Sequence, residues 1–418
     1  MKAFILSIGD ELVLGQTVDT NSAWISQQLA SVGCDIVAHK TVGDDQQLIE
    51  AAIREGSTLA DAVVISGGVG PTEDDLTRQA IGTLLGEPLE LNAEWLAEMQ
   101  RFFTRLARPM PKSNEIQAMI PRGATMLFNT CGTASGVRAT VGGAQVFAMP
   151  GVPKEMKAMF ARDVFPWLKE RSGGAVILQK TLHTFGAGES TIGERLGSLM
   201  MRQRNPRVGT TVSQGIVSVR VNARYESLDR ATAEMNTTVG LCRAALEDRI
   251  FGEDGETLPQ VVAQLLVSGG VATSVATAES CTGGLLAKVL TDIPGSSRFF
   301  KQGWITYSND AKASQLGVRK ETLEQNGAVS EPVVKEMALG ARERAAADFA
   351  LSISGIAGPD GGTEAKPVGT VCIGFAHSNG VTAGTFIFPG DREMVRDRAA
   401  KMALMMLRYH LLDKPMPV

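Results

Sequence analysis

Two side chains that could act as nucleophiles stand next to each other in the stretch TAESCTGG, residues 277–284, which contains Ser280 and Cys281. A β-branched run precedes this stretch and a run with helical apolar spacing follows it, so we expect a turn from a strand into a helix. Free backbone N–H groups at such a turn can stabilise a developing oxyanion. We assign that role to the N–H groups of Cys281, Thr282 and Gly283.

A serine nucleophile needs a base. The four histidines are poorly placed to supply one, because they lie in other segments, in a predicted hairpin tip or in the last helix (His39, His183, His377 and His410). In WITYSNDAK, by contrast, Lys312 falls in the first turns of a predicted helix. Partial burial and the helix N-terminus both disfavour the ammonium form there, so Lys312 can act as a neutral amine.

We therefore predict that Ser280 is the nucleophile and Lys312 its base, with the Tyr307 hydroxyl relaying the proton or orienting the pair. Cys281 is the stronger intrinsic nucleophile, but the next residue of a turn points elsewhere, and lysine is an unusual partner for a thiolate. The alternative is that Ser280 caps the following helix and that Lys312 is a solvated surface lysine.

Two further loops could bind a substrate. SGIAGPDGG, residues 354–362, offers backbone donors around Gly355 and Gly358 and the carboxylate of Asp360. Alternatively, this glycine-rich loop is only a turn.

GDREMVR, residues 390–396, places Arg392 and Arg396 at the start of the final predicted helix. Guanidinium groups bind phosphate well. We predict that Arg392 contacts the substrate, although either arginine could be an exposed helix-start charge.

A second group of chemically useful residues lies near the N-terminus, in SGGVGPTEDD, residues 66–75, and IGDELVLG, residues 8–15. Its glycines let the backbone approach a ligand, and its acids follow two predicted strands (Gly67, Gly68, Gly70, Glu73, Asp74, Asp75, Asp10 and Glu11). Backbone N–H groups there could bind phosphate, but paired carboxylates repel phosphate unless a cation intervenes. We predict a divalent metal held by Asp74 and Asp75, or a proton-transfer role for an acid; alternatively, one of the two caps the next helix.

The elements that must position these residues fall into three segments, which we place at 1–170, 171–252 and 253–418. The first and third alternate strand-like and helical runs, which is typical of α/β domains with largely parallel sheets. The middle segment has the element order of a small α+β, KH-like unit. It lacks the G-x-x-G loop with which RNA-binding KH modules clamp the backbone, so we favour a spacer or dimerisation unit.

Composition excludes several classes of protein. The 418 residues are 44% hydrophobic, which is enough for two to three cores. The five cysteines never form a C-x-x-C pair, which favours reduced thiols in a cytoplasmic protein. No run approaches the roughly 20 apolar residues of a membrane span, and a net charge of −4 does not favour nucleic acid or membrane as a partner.

The N-terminal stretches IGDEL, DTNS, SGGVGPTEDD and PGVPKEM resemble the molybdopterin-binding domain of the MoaB/MogA type, in the version that opens the competence/damage-inducible CinA proteins. The resemblance implies a phosphate-bearing nucleotide or pterin ligand. In CinA-type chains it implies hydrolysis of the pyrophosphate of ADP-ribose with a divalent metal. Val69 stands where the typical molybdopterin loop has threonine, which weakens a role in cofactor synthesis.

The stretches TAESCTGG, TYSNDAK, GAVSEPVV, SGIAGPDGG, KPVGTV and GDRE resemble, in that order, the nicotinamide mononucleotide deamidase (PncC) domain of CinA proteins. By that resemblance Ser280 is the catalytic serine, Lys312 its basic partner and Tyr307 the supporting tyrosine. The resemblance implies an amidase without a cofactor, and a homodimer. Two alternatives stay open: a non-catalytic N-terminal binder of a pterin or nucleotide, and a competence scaffold associated with nucleic acid.

Overall fold

A computed structural model describes residues 1–172, 176–268 and 273–416 of the chain. The chain divides into two compact units. One unit comprises Met1–Leu178 with Ala223–Glu234, and the other comprises Gln179–Asn222 with Met235–Val418.

The strands and α-helices are numbered in chain order. The strands are β1 (Lys2–Ile8), β2 (Asp35–Val42), β3 (Ala62–Ser66), β4 (Leu89–Leu91), β5 (Met119–Pro121), β6 (Thr125–Leu127), β7 (Gly136–Val141), β8 (Ala144–Met149), β9 (Val176–Phe185), β10 (Arg207–Ser213), β11 (Ile216–Tyr225), β12 (Ile250–Glu253), β13 (Val275–Glu279), β14 (Phe300–Ile305), β15 (Phe349–Gly355), β16 (Thr370–His377) and β17 (Gly380–Ile387). The helices are α1 (Asp10–Val13), α2 (Thr20–Ser31), α3 (Gln46–Leu59), α4 (Thr77–Leu85), α5 (Ala93–Arg105), α6 (Pro153–Met159), α7 (Phe165–Arg171), α8 (Glu189–Leu196), α9 (Leu228–Leu246), α10 (Leu258–Val267), α11 (Leu285–Thr291), α12 (Asn309–Leu316), α13 (Lys320–Asn326), α14 (Glu331–Ala345) and α15 (Arg392–Leu411).

The N-terminal segment forms a six-stranded sheet in the order β2-β1-β3-β8-β7-β6. The first four strands pair in parallel and the last two antiparallel. Every residue of β3 is buried, as expected for a central parallel strand covered on both faces. Apolar residues of α3 and α4 pack on one face, and those of α2, α6 and α7 on the other. Because Ser7 pairs with Ser66, the loops that follow β1 and β3 leave the same edge of the sheet side by side.

The C-terminal segment forms a five-stranded sheet in the order β14-β13-β15-β16-β17. The first three strands are parallel, and β16 and β17 form the predicted antiparallel hairpin. Apolar residues of α10, α11 and α15 pack on one face and those of α14 on the other. Glu279, the last residue of β13, pairs with Ile305 and Ile353, so the turn that carries Ser280 emerges between the loops after β14 and β15.

The middle segment forms a sheet in the order β10-β11-β9-β12, in which β10 pairs antiparallel with β11 and β12 with β9. Its helices are α8 and α9, so the KH-like element order is confirmed, as is the α/β class of the other two segments. The strand in WITYSN ends at Ile305, so Tyr307 lies in the loop between β14 and α12. No helix within the described ranges is long and apolar enough to cross a membrane.

Candidate active sites

Ser280 and Lys312 meet in the interior of the C-terminal segment. Lys312 Nζ donates a hydrogen bond to Ser280 Oγ at 3.1 Å. It also donates to the backbone carbonyls of Thr306, at 3.0 Å, and of Tyr307, at 3.4 Å. Only 1% of the Lys312 surface is exposed. The predicted nucleophile and base therefore form a direct, buried contact.

The local sequence explains how Lys312 reaches this position. After β14 ends, Ser308 begins α12 as its N-cap, and the Ser308 hydroxyl accepts a hydrogen bond from the Ala311 amide at 3.1 Å. Lys312 then lies in the first turn of α12, with its amine back at the strand end. Burial lowers the pKa of Lys312, because the ammonium loses water and its three hydrogen-bond partners are neutral oxygens.

The two alternative roles do not fit this geometry. The N-cap of α11 is Gly284, so Ser280 does not cap that helix. Lys312 is not a solvated surface lysine, since it is almost fully buried. The four histidines have other contacts: His39 bonds Ser26, His183 bonds Ser218, and the rings of His377 and His410 lie 4.6 Å apart in an aromatic cluster.

Cys281, the second candidate nucleophile, lies in an apolar environment. Burial raises the pKa of its thiol to about 11, so the thiol stays protonated at neutral pH. A Cβ on Gly355 would stand 3.1 Å from Cys281 Sγ and 2.7 Å from Val371 Cγ2. Gly355, predicted to bind substrate, is therefore required for packing at the end of β15.

The turn after Ser280 corrects one predicted oxyanion donor. The Gly283 N–H donates to the Ser280 carbonyl at 3.0 Å, so the prediction that this group is free is wrong. The turn closes on itself through that bond, as β-turns do. Within the described part of the chain the N–H groups of Cys281 and Thr282 donate no hydrogen bond to another residue. These two are the candidate oxyanion donors.

Glu279 has a role that the sequence reasoning missed. Its side chain is 0% exposed, and its carboxylate accepts hydrogen bonds from the amides of Leu286, at 3.0 Å, and Ala287, at 2.8 Å. A carboxylate at a helix N-terminus satisfies free N–H groups and complements the helix dipole. Glu279 thereby ties the end of β13 to the start of α11 and fixes both ends of the turn that carries Ser280.

Arg392 links two of the predicted substrate loops. Its Nη1 donates to the Gly358 carbonyl at 2.8 Å, and its Nη2 donates to the Tyr307 hydroxyl at 3.0 Å. The Tyr307 side chain is 59% exposed and faces Arg392 through its hydroxyl, whereas its carbonyl faces Lys312. Asp360 is exposed and makes no hydrogen bond within the residues that the structure describes.

Arg396, one turn further along α15, donates to the Thr282 carbonyl at 2.7 Å. This bond is a further contact that holds residues 280–283, the oxyanion turn. A cavity of about 640 Å³ adjoins both arginines, and Ser280 is not among the residues that line it. Its lining residues are Gln214, Leu285, Asp391, Arg392, Glu393, Met394, Arg396 and Asp397.

The N-terminal glycine loop borders a second cavity, of about 470 Å³. Three predicted glycines and three predicted acids line it (Gly67, Gly68, Gly70, Glu11, Asp74 and Asp75). Two further acids, Asp44 and Glu155, also line it, and the sequence reasoning missed them. Asp10 and Glu73 are not lining residues, and Glu73 is exposed. Gly67 has a φ of +115°, and a Cβ on it would stand 2.1 Å from the Ile8 carbonyl oxygen, so the approach of the two loops requires glycine there.

Asp10 lies just behind this cavity and holds Asp44 in place. The Asp10 amide donates to Asp44 Oδ2 at 2.9 Å, and the Asp44 amide donates to Asp10 Oδ1 at 3.1 Å. Burial raises the pKa of the Asp44 carboxyl, and the negative charges of Asp10, Asp74 and Glu11 raise it further. Several carboxylates therefore repel one another at the cavity, which favours a bound cation.

The Asp75 carboxylate is hydrogen-bonded within the glycine loop. Its carboxylate accepts hydrogen bonds from the amides of Gly70, at 2.6 Å, and Thr72, at 2.9 Å, and from the Thr72 hydroxyl. The N-cap of α4 is Leu76 and has no side-chain cap, so neither Asp74 nor Asp75 caps that helix. Asp75 is thus a loop-forming residue, and Asp74 is the exposed acid at the cavity.

Arg78 supports the glycine loop through hydrogen bonds, a role that the sequence did not indicate. It is fully buried and donates to the carbonyls of Val69 and Gly70. Burial lowers the pKa of its guanidinium to about 10, so the group stays charged at neutral pH. A buried cation beneath a glycine loop adds positive potential where a phosphate would bind.

The acids at the N-terminal cavity fit a metal site in which substrate phosphates and water complete the coordination. Across residues 1–172, 176–268 and 273–416, no three His, Cys, Asp or Glu side chains are grouped so that they could hold a metal ion by themselves. An ion of the Mg²⁺ type takes one or two carboxylates together with substrate phosphates and water. Asp74, with Asp44 and Glu11 beside it, fits that arrangement.

Comparisons with known families match all three segments. Residues 4–170 match a probable molybdopterin binding domain, residues 179–252 the KH domain of damage-inducible protein CinA, and residues 255–411 the CinA C-terminal domain.

Curated relatives match this chain over nearly its whole length. A putative competence-damage inducible protein from Symbiobacterium thermophilum is 42% identical, over 99% of both chains. A CinA-like protein from Geotalea uraniireducens is 44% identical, over 99% of this chain and 98% of the relative. Among solved structures, a competence/damage inducible protein from Agrobacterium tumefaciens is 40% identical, covers 38% of this chain and 97% of its own, and gives a TM-score of 0.36.

Proposed function

Because the chain belongs to the CinA family, we propose that it is a two-site hydrolase whose C-terminal site deamidates nicotinamide mononucleotide. The observation that carries this proposal is the 3.1 Å hydrogen bond between Lys312 Nζ and Ser280 Oγ. A buried amine with a lowered pKa beside a hydroxyl is the arrangement that a serine amidase needs when no histidine is available.

In the first step Lys312 Nζ takes the hydroxyl proton while Ser280 Oγ attacks the carboxamide carbon. The oxygen of the tetrahedral intermediate accepts hydrogen bonds from the N–H groups of Cys281 and Thr282. Lys312 then gives its proton to the amide nitrogen, the C–N bond breaks and ammonia leaves. A water molecule, deprotonated by Lys312, attacks the resulting ester, releases nicotinic acid mononucleotide and restores Ser280.

The substrate phosphate binds Arg392 in this proposal. Tyr307 orients that guanidinium through its hydroxyl, and the Gly358 carbonyl fixes the other edge of the group. This assignment gives Tyr307 a role in substrate positioning, whereas the sequence predicts that its hydroxyl relays the proton or orients the Ser280–Lys312 pair. No step of the amidase reaction uses a cofactor.

Ammonia release from nicotinamide mononucleotide tests this proposal. Ser280→Ala removes the nucleophile, so we expect a loss on the order of a thousandfold or more. Ser297→Ala changes an exposed serine of the same segment and is the matched control. Wild-type ammonia release by Ser280→Ala would refute the mechanism.

For the N-terminal site, we propose hydrolysis of the pyrophosphate of ADP-ribose. The carboxylates crowded around the cavity carry this proposal, because they need a cation before a pyrophosphate can enter. A divalent ion bound there would neutralise phosphate charge and polarise the phosphorus–oxygen bonds. Asp74 would hold the ion, and the glycine-loop backbone supported by Arg78 would hold the phosphate.

Titration with ADP-ribose and Mg²⁺ distinguishes this activity from a binding role. Formation of AMP supports hydrolysis. Saturable binding without AMP would favour the alternative of a non-catalytic nucleotide or pterin binder.

A further inference from the structure

A third cavity, of about 620 Å³, lies at α15, beyond the part of that helix that carries Arg392 and Arg396. Its volume falls within the range of roughly 300–1,000 Å³ that is typical of small-molecule sites. Its lining residues are Phe185, Gly186, Ala187, Gly188, Thr191, Arg249, Phe386, Met402, Met405, Tyr409 and Met416. Neither the amidase site nor the glycine-loop site shares a residue with it.

The wall of this cavity is mostly apolar. Three methionines and three aromatic rings line it, and Met402, Met405 and Tyr409 belong to the buried core beneath. The Tyr409 hydroxyl already has a hydrogen-bond partner, because it donates to the Asp248 carbonyl at 3.0 Å. Methionine side chains adapt to ligands of different shape, since they are unbranched and polarizable.

One charge interrupts the apolar wall. Arg249 lines the cavity, and its guanidinium makes no hydrogen bond or ion pair within the described residues. The carboxylate of Asp248, the preceding residue, forms an ion pair with Lys414 instead. The lining set contains no aspartate or glutamate. An apolar cavity with one cation that has no partner among the described residues is complementary to an apolar molecule with one negative charge.

We propose that this cavity binds a small amphipathic carboxylate, with its hydrocarbon part against the methionines and aromatic rings and its carboxylate on Arg249. The proposal is independent of the two hydrolase activities, because it rests on different residues. A guanidinium bound to a carboxylate forms charge-assisted hydrogen bonds, and these are stronger than neutral ones.

Calorimetric titration of the full chain with octanoate and with octan-1-ol tests the proposal. The two probes share the same hydrocarbon chain and differ in charge. We expect octanoate to bind one site at least tenfold more tightly than the alcohol. Arg249→Gln should reduce octanoate affinity to that of the alcohol and leave the alcohol unchanged. Arg202→Gln, which changes an exposed arginine of the same unit, should change neither affinity.

Octanoate affinity that is unchanged in Arg249→Gln, or no binding of octanoate to the wild type, would overturn the proposal. A second measurement is made on the wild type and does not depend on the fold of Arg249→Gln. In the wild type labelled at its methionine methyl groups, octanoate should shift the NMR signals of Met402, Met405 and Met416, assigned by single Met→Leu changes. Shifts confined to other methionines would also overturn it.

Discussion

Lys312 Nζ donates to Ser280 Oγ at 3.1 Å, although the two residues reach this point from different strands. Ser280 follows β13, and Lys312 belongs to the helix that begins after the neighbouring parallel strand β14. Parallel pairing brings these two strand ends to one edge of the sheet. Burial then removes water from the amine, so the fold both positions the pair and favours its neutral form.

The lowered pKa of Lys312 predicts the pH dependence of the amidase. The reaction needs the neutral amine, so kcat/KM should rise as pH increases through the Lys312 pKa. Because burial lowers this pKa, the rising limb should lie below pH 10.5, the ordinary lysine value. Lys312→Met should abolish activity, and Lys301→Met, at an exposed position, should keep the wild-type profile. A limb centred at or above pH 10.5 would contradict a buried general base.

The two arginines of α15 should affect different kinetic constants. Arg392→Met should raise KM for nicotinamide mononucleotide by about tenfold or more, because it removes the proposed phosphate ligand. For nicotinamide riboside, which lacks the phosphate, the same variant should have the wild-type KM. Arg396→Met should lower kcat instead, since Arg396 holds the Thr282 carbonyl of the oxyanion turn. Equal losses on both substrates in Arg392→Met would argue against phosphate recognition.

Gly355 should be sensitive for reasons of packing. In Gly355→Ala the new methyl group would meet Val371 Cγ2 at 2.7 Å and the Thr370 carbonyl oxygen at 2.9 Å. Overpacking of this kind costs about 1–3 kcal/mol of the free energy of unfolding. Asp360→Asn, at an exposed position in the next loop, is the stability control. Chemical denaturation measures both, and an unchanged midpoint for Gly355→Ala would show that the strand end can relax.

Much of this arrangement follows from the sequence, because the alternation of strands and helices places loops at strand ends. That reasoning placed Ser280 in a turn after a strand and Lys312 in the first turns of a helix, and both positions agree with the structure. It missed Glu279, Arg78 and Asp44, whose partners are set by tertiary packing rather than by local pattern. The sequence pattern predicts only that Glu279 belongs to a strand. The structure shows that its carboxylate accepts hydrogen bonds from backbone amides of α11. The Gly283 amide was assigned wrongly because the closure of a turn depends on backbone angles that composition does not fix.

Asp74 and Asp75 should differ in what their loss changes. Asp75→Asn should lower the free energy of unfolding by about 1–2 kcal/mol, because it weakens the hydrogen bonds of the glycine loop. Asp74→Asn should leave stability unchanged and raise the Mg²⁺ concentration needed for half-maximal ADP-ribose hydrolysis. Thermal unfolding and metal titration separate the two roles. Metal dependence that survives Asp74→Asn intact would remove this residue from the proposed metal site.

The acyl-enzyme is the most direct test of the Ser280–Lys312 account. Wild-type protein, mixed with nicotinamide mononucleotide and quenched in acid during turnover, is digested and sequenced by tandem mass spectrometry. We expect a nicotinoyl mononucleotide ester on Ser280 that is absent from Ser280→Ala. An adduct on Cys281, or steady ammonia release with no covalent adduct, would contradict serine catalysis at this site.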